Sequence, residues 1–265
     1  MADVETDEPE SAATLERRRN IALITLNRPQ ALNAVNAEVS AALGAALEEF
    51  AADPGLRVAV VTGAGRAFCA GMDLKEAAAG RDVMDPLHPE WGFAGIVRHS
   101  IGKPLIAAVN GPALGGGAEI VLACDLVVAD ENATFGMPEV RHGLYPAAGG
   151  VLRLQHRVPR NIAREIALTG TPVDAATAAR WGLFNRVAPS GKSVDVALEL
   201  AERVAAGAPL AVHAVKQLMS WGEGQAEAEA WVENDRTFQE IRASDDAKEG
   251  PRAFAEKRTP HWTGR

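Results

Sequence analysis

The sequence is poor in cysteine, in positive charge and in long apolar runs, and each shortage closes off a class of protein. Its two cysteines, Cys69 and Cys124, stand in no paired motif. That excludes a disulfide-stapled scaffold and predicts a reduced, cytoplasmic protein. Lys and Arg number 27 against 35 Asp and Glu, a net charge of −8. A nucleic-acid partner, which needs a basic face, is therefore not expected. No apolar run approaches the roughly 18 residues that span a bilayer, so no membrane partner is expected either. The opening MADVETDEPESAA is acidic and lacks the basic-then-apolar order of a signal peptide; residues 1–14 are expected to be a disordered tail. The six histidines show neither H-x-H nor HExxH spacing, so no metal site is expected.

Short apolar runs are regularly spaced through the first half. IALITLN (21–27), RVAVVTG (57–63), PLIAAVNG (104–111) and CDLVVAD (124–130) read as strands too apolar to have a wet face. A sheet made of them must be covered on both sides, which points to the α/β class. A doubly wound sheet and a solenoid of ββα turns both satisfy this spacing. Asn36 reads as the N-cap of an amphipathic helix ending near Phe50. Beyond about residue 158 helical periodicity takes over, broken by one strand-like run, LFNRVAP (183–189). Asp174 and Ser193 are predicted N-caps, and Gly170, Gly182 and Gly207 predicted helix stops.

Three stretches carry chemistry. In GPALGGGAEIVLACD (111–125), glycines precede a helix that starts near Gly116, and Glu119 sits in its first turn. The first N–H groups of a helix have no internal partner and carry the positive end of its dipole. Glycine lets a ligand approach them, which suits an oxygen that gains negative charge. TGAGRAFCAGMDL (62–74) repeats that logic, with small residues leading into an Asp-started helix. Its G-x-G-x-x-F core is a poor dinucleotide fingerprint, because the loop is too long and the later acidic residue is missing; no nicotinamide cofactor is expected. ATFGMPEVRHGLYPAAGGVLRL (133–154) places Glu139 after Pro138 in the first turn of a short helix, and Gly149-Gly150 before another. One glutamate in such a place is a solvated dipole partner. Two, each a turn into a helix behind a small-residue loop, read as an acid–base pair. Cys69 reads as a small core residue and His142 as a surface or packing residue.

NRPQALNA (27–34), VVTGAGRAFCAGMDLKE (60–76), KPLIAAVNGPALGGGAEIVLACDLVVADENATFGMPEV (103–140), GGVLRL (149–154) and AFAEKRTPHW (253–262) resemble, in this order, the enoyl-CoA hydratase (crotonase) family. The resemblance covers nearly the whole chain after residue 15. It implies a crotonase-type spiral of ββα turns over 15–205, holding the CoA and catalytic site, and a C-terminal α-helical trimerisation region over 206–265. A homotrimer or dimer of trimers is the implied assembly. It further implies that the N–H groups of Met72 and Gly116 form an oxyanion hole for a thioester carbonyl, with Glu119 and Glu139 as the catalytic pair. Ala70, Asp73, Leu74 and Lys75 match the segment lining the CoA and thioester site, and Phe254 and Lys257 match positions near the adenine and phosphates. The family often has a basic residue where this chain has Gln30; Arg28 is the candidate to compensate. Ala147 replaces a frequent glycine, and Met72 is bulkier than the usual alanine.

The implied reaction is reversible hydration of a 2-trans-enoyl-CoA to a 3-hydroxyacyl-CoA, with an acyl-CoA thioester as partner and no cofactor beyond the coenzyme A it carries. Relatives that shift double bonds, hydrolyse or cleave carbon–carbon bonds commonly lack one glutamate or both. GFAG (92–95), RWGLFNRV (180–187) and EGPRAFAEKRTPHWTGR (249–265) are most similar to the carnitinyl-CoA dehydratase branch, whose substrate carries a trimethylammonium group. Such a cation needs an aromatic or acidic wall; Trp91, Phe93 and Tyr145 are candidates, or else Trp91 and Phe93 cover an acyl pocket or a loop. The alternative from another class is a non-catalytic acyl-CoA-binding trimer.

Overall fold

A computed structural model describes residues 11–265. Most of the predicted tail therefore lies outside the described residues, but Ala13 and Thr14 do not belong to a tail. They open β1 (Ala13–Arg18), which pairs antiparallel with β2 (Ile21–Leu26) through a turn with Arg19 at φ +57°. Charged residues at positions 16–18 keep this edge strand wet, which is why its sequence carries no strand-like apolar run.

After the hairpin come α1 (Ala37–Ala52), β3 (Val58–Gly63), α2 (Leu74–Ala78), β4 (Leu105–Val109), β5 (Ala113–Leu114) and α3 (Gly116–Ala123). Next are β6 (Leu126–Asp130), β7 (Thr134–Gly136), α4 (Gly150–Arg157), α5 (Arg160–Thr169), β8 (Val173–Asp174) and α6 (Ala175–Arg180). β9 (Arg186–Ala188), α7 (Ser193–Ala205), α8 (Pro209–Gly222), α9 (Glu227–Ala243) and α10 (Asp245–Ala255) complete the chain.

The main sheet has six strands in the order β1-β2-β3-β4-β6-β9, parallel beyond the first hairpin. Its register explains why the strands are apolar on both faces. Ile24, Val61, Ala107 and Val127 form one cross-strand row and meet Val39, Leu43, Leu47 and Phe50 of α1 in the larger core. The neighbouring row, Leu23, Val60, Ile106 and Leu126, packs with Ala197, Ala201 and Ala205 of α7. Alanines one helical turn apart let that helix lie close against the sheet.

A second, narrow ladder decides between the two architectures left open by the spacing. β5 pairs with β7 and β7 with β8, while single bridges join Val35 to Met72 and Cys69 to Ala113. Each turn of chain thus gives one strand to the main sheet, one short step to the ladder, and then a helix. The fold is the expected spiral of ββα turns.

One predicted helix end differs from the observed one. Ser193 is not an N-cap but the first helical residue of α7; Oδ1 of Asp130, at the end of β6, accepts the N–H groups of Lys192 at 3.0 Å and Ser193 at 2.9 Å. A carboxylate at a helix start outcompetes a hydroxyl by adding charge to the dipole interaction. Gly207 stands at the C′ position of α7, after the cap residue Ala206, as expected, but without a left-handed φ. Pro209 reinforces that stop by holding Ala208 in the extended region. Asp174 caps α6, and Gly170 and Gly182 are left-handed at φ +62° and +82°, as expected.

The last 60 residues are largely helical. α8 is tied to the core by Lys216, whose Nζ bonds Asp125 Oδ2 and the Lys103 carbonyl, each at 2.8 Å. The final residues fold back so that Asp246, only 3% exposed, accepts the N–H groups of Thr263 at 2.7 Å and Gly264 at 3.0 Å.

Candidate active site

The ladder delivers three loops to one place. Met72 follows the Cys69 bridge, Gly116 follows β5, and Glu139 follows β7. They open onto a cavity of about 410 Å³, mostly apolar, that Ala70, Leu74, Glu119 and Phe93 also line. Among the described residues, neither the Met72 N–H nor the Gly116 N–H donates to a protein acceptor. The loops touch: a Cβ on Gly71 would lie 3.1 Å from Gly116 N.

The glycine run answers to contacts of different kinds. Gly115 needs its backbone freedom, with φ +56° and ψ −125° at the start of α3. Gly116 and Gly117 need their lack of a side chain, because a Cβ would fall 2.4 Å from the Phe93 ring and 2.1 Å from the Cys69 carbonyl oxygen respectively. The helix therefore begins pressed between the Met72 loop and Phe93, with its first N–H bare.

Glu119 lies inside α3 and is 3% exposed. Its Oε1 accepts the Gly150 N–H at 2.8 Å. Burial, aided by the nearby Glu139, pushes its carboxyl up to about 7 against the pull of the Gly150 and Ala148 N–H groups and of Arg153. Glu139 is half-buried in the 3₁₀ turn Pro138–His142, and burial raises its carboxyl as well. Its Oε2 is buried and, among the described residues, has no partner. Its Oε1 lies beside Gly115, 3.3 Å from where a Cβ would be. Two carboxyls that resist ionisation at the wall of one apolar cavity are suited to moving protons near neutral pH.

The cavity gathers Glu119, Glu139, Met72, Gly116, Ala70 and Leu74 from the sequence-derived set. Arg28, Asp73, Lys75, Phe254 and Lys257 are not part of its lining. Arg28 bonds the Ala34 carbonyl at 2.6 Å and Asp73 Oδ2 at 3.3 Å, so it braces the Met72 loop. Burial works to raise the Asp73 carboxyl, but the Lys75 N–H and the Arg28 guanidinium outweigh it and hold the group below its ordinary range. Asp73 also caps α2, on which Lys75 is exposed. Phe254 is 86% exposed on α10.

Of the three aromatic candidates, Phe93 and Tyr145 line the cavity and Trp91 does not. Trp91 stacks between His88 at 4.0 Å and His99 at 4.3 Å, against the notch that Gly44 leaves in α1. Cys69 and Cys124 are buried, and burial pushes both thiols up to about 12, which leaves them inert.

Sequence reasoning missed Arg153 and Arg98. Arg153 on α4 donates to the Val97 and Ala148 carbonyls, clamping two walls of the cavity behind Glu119. It stands in the GGVLRL block, which marked only a helix start. Arg98 lines the cavity from a stretch with no periodic signal.

Bare backbone donors and paired carboxyls on a ββα spiral define a class: the chain belongs to the enoyl-CoA hydratase/isomerase family, whose model matches residues 16–265. Particular relatives narrow the comparison. The carnitinyl-CoA dehydratase of Proteus mirabilis (strain HI4320) is 44% identical over 259 residues, spanning 95% of this chain and 98% of its own. The crystal structure of enoyl-CoA hydratase from Mycobacterium tuberculosis H37Rv superimposes with a TM-score of 0.92 at 45% identity, covering 97% of this chain and 100% of that one. That of carnitinyl-CoA hydratase from Mycobacterium avium gives 0.79 at 53% identity, with the same coverage of 97% and 100%.

Proposed function

We propose that this protein is a hydro-lyase that adds water reversibly across the double bond of a 2-trans-enoyl-CoA, giving the 3-hydroxyacyl-CoA. The observation that carries this is the meeting of Glu119 and Glu139 with the unbonded Met72 and Gly116 N–H groups at one apolar cavity.

In this reading one carboxyl starts ionised and the other protonated, as two acids close together in a dry site require. The ionised one takes a proton from water as the water oxygen bonds to C3. The π electrons move onto the thioester oxygen, forming an enolate held by the two N–H groups. Each such donor is typically worth about 3–4 kcal/mol of barrier. The enolate then collapses and C2 takes the proton of the second carboxyl. Dehydration is the same path reversed.

Ala70 and Leu74 carry the thioester end, and Asp73, Lys75 and Arg28 stand on the coenzyme A side as positioning and contact residues. No cofactor or metal enters this reading. Phe254 and Lys257 are assigned to the nucleotide end; since neither lines the cavity of its own chain, a homotrimer or dimer of trimers is the assembly we favour. Exposed Met219, Trp231, Val232 and Phe238 on the C-terminal helices support it. Among the described residues no helix is long and apolar enough to cross a membrane, and the two thiols are free. With the acidic balance, these features support a cytoplasmic place.

The names of the curated relatives favour a second substrate, a carnitinyl-CoA, with the same chemistry. A non-catalytic acyl-CoA-binding role fits poorly with retention of both carboxyls. The test is turnover of crotonyl-CoA in ¹⁸O-labelled water. The expected product carries the label on its C3 hydroxyl; thioester binding without labelled product would return the non-catalytic reading.

A further inference from the structure

Under the hydro-lyase reading, on which the proposal below depends, the charge of the acyl tail is the property that separates the substrate classes. A quaternary ammonium has no N–H to donate, so a site can hold it only with aromatic faces or with acids. The aromatic wall available here is thin. Trp91 is taken up in its stack between His88 and His99. The Phe93 ring is pressed onto the start of α3, where a Cβ on Gly116 would lie 2.4 Å from it. Tyr145 remains, 65% exposed.

The acids are no better placed for a cation. Among the described residues, the only carboxyls lining the cavity are Glu119 and Glu139, the pair that must handle water and the C2 proton. The other ionisable side chains in the lining, among the described residues, are Arg98 and His142, and His142 acts on Glu139. The Arg98 backbone is fixed by donation to the Trp91 carbonyl at 2.9 Å, and its aliphatic stem lies along Gly92, with Cγ 3.1 Å from where a Cβ would be. Among the described residues it forms no ion pair, in contrast to Arg28, Arg81 and Arg258. The Arg98 side chain is exposed and borders a neighbouring cavity with Asp125, Arg157 and Lys216 as well; a guanidinium turned to the mouth of the apolar pocket repels a cation and offers a forked donor set to a carboxylate.

We propose that Arg98 makes the acyl pocket discriminate by tail charge, favouring enoyl thioesters whose tail ends in a carboxylate and rejecting those whose tail carries a quaternary ammonium. The same guanidinium chemistry also suits a phosphate of coenzyme A, and the test separates the two anions.

Three enoyl-CoAs of similar bulk serve as probes: one with trimethylammonium on C4, its tert-butyl isostere, and a counterpart ending in a carboxylate. Wild-type kcat/KM is expected to rise in that order, by about tenfold per step, the scale of one partly screened charge contact. Arg98→Glu should reverse the order and Arg98→Lys should keep it. Affinities of the corresponding saturated thioesters, which cannot be hydrated, should follow the same order, so the preference is read even if hydration fails. A trimethylammonium compound bound and turned over as well as its isostere overturns the proposal, as does an order unchanged in Arg98→Glu. Pantetheine thioesters, which lack the nucleotide, form the last arm. If Arg98→Gln costs the same factor on every CoA thioester and nothing on these, the guanidinium reads coenzyme A phosphate and the proposal falls.

Discussion

Glu119 and Glu139 share one cavity but not one environment: Oε1 of Glu119 accepts the Gly150 N–H at 2.8 Å, whereas Oε2 of Glu139 is buried with no partner among the described residues. An unpaired buried acceptor costs about 1–3 kcal/mol, so Glu139 gains most from a bound reactant that offers a hydroxyl. Glu119 is the anchored member. This asymmetry gives the two acids different consequences on mutation.

Glu119 should cost stability when ionised. Its folded value near 7 lies above the ordinary 4.5, so the fold favours the protonated form. That contribution is complete below the ordinary value and is lost as pH rises through the folded one. Glu119→Gln, always neutral, should therefore be more stable than wild type by about 2–3 kcal/mol at pH 8, a gain that vanishes on acidification to about pH 4. Urea melts at the two pH values read this directly; equal gaps at both would show that the carboxyl is not raised.

Arg153 should act on the pH profile through Glu119. It grips the Val97 and Ala148 carbonyls and favours the Glu119 carboxylate. Arg153→Gln removes a positive charge, so the kinetic limb that reports Glu119 should move to higher pH. A loss of rate with the limb unmoved would mean that Arg153 only holds the walls in place.

Gly117→Ala should damage the site without touching a side chain in it. The new Cβ would overlap the Cys69 carbonyl and drive α3 off the Met72 loop. We expect a stability loss of about 1–3 kcal/mol. Isotope-edited infrared spectra should also show a smaller lowering of the bound thioester carbonyl stretch than in wild type. A stretch lowered equally in both proteins would mean that the donors do not depend on this contact.

Val232, 73% exposed on α9, is expected to lie in a subunit contact. Sedimentation of the 27.9 kDa chain should give the mass of a trimer or a dimer of trimers, and Val232→Glu should lower it. A monomeric wild type would remove the assembly from the account.

The long strands, the α1 cap at Asn36 and the helix-start positions of both glutamates were legible because each is local: an apolar run, a capping side chain, a carboxylate one turn into a helix. The ladder was not, since β5 and β8 have two residues each and two of its steps are single bridges, too short to show a period. Capping of α7 by Asp130 links residues about sixty apart and left no trace in local spacing. For Trp91, spacing left pocket wall and loop cover both open, because a Trp beside a pocket-forming Phe fits either. The notch at Gly44 that takes its ring belongs to another element. Arg98 and Arg153 act by where their side chains reach, which spacing does not encode.

The measurement closest to the central claim is the rate of loss of enoyl absorbance from crotonyl-CoA in wild type, Glu119→Gln and Glu139→Gln, each shown folded and able to bind the thioester. Two acids working on one alkene predict hydration by wild type and a fall of about 10²-fold or more in each variant. Hydration that persists at the wild-type rate in either variant would contradict the account.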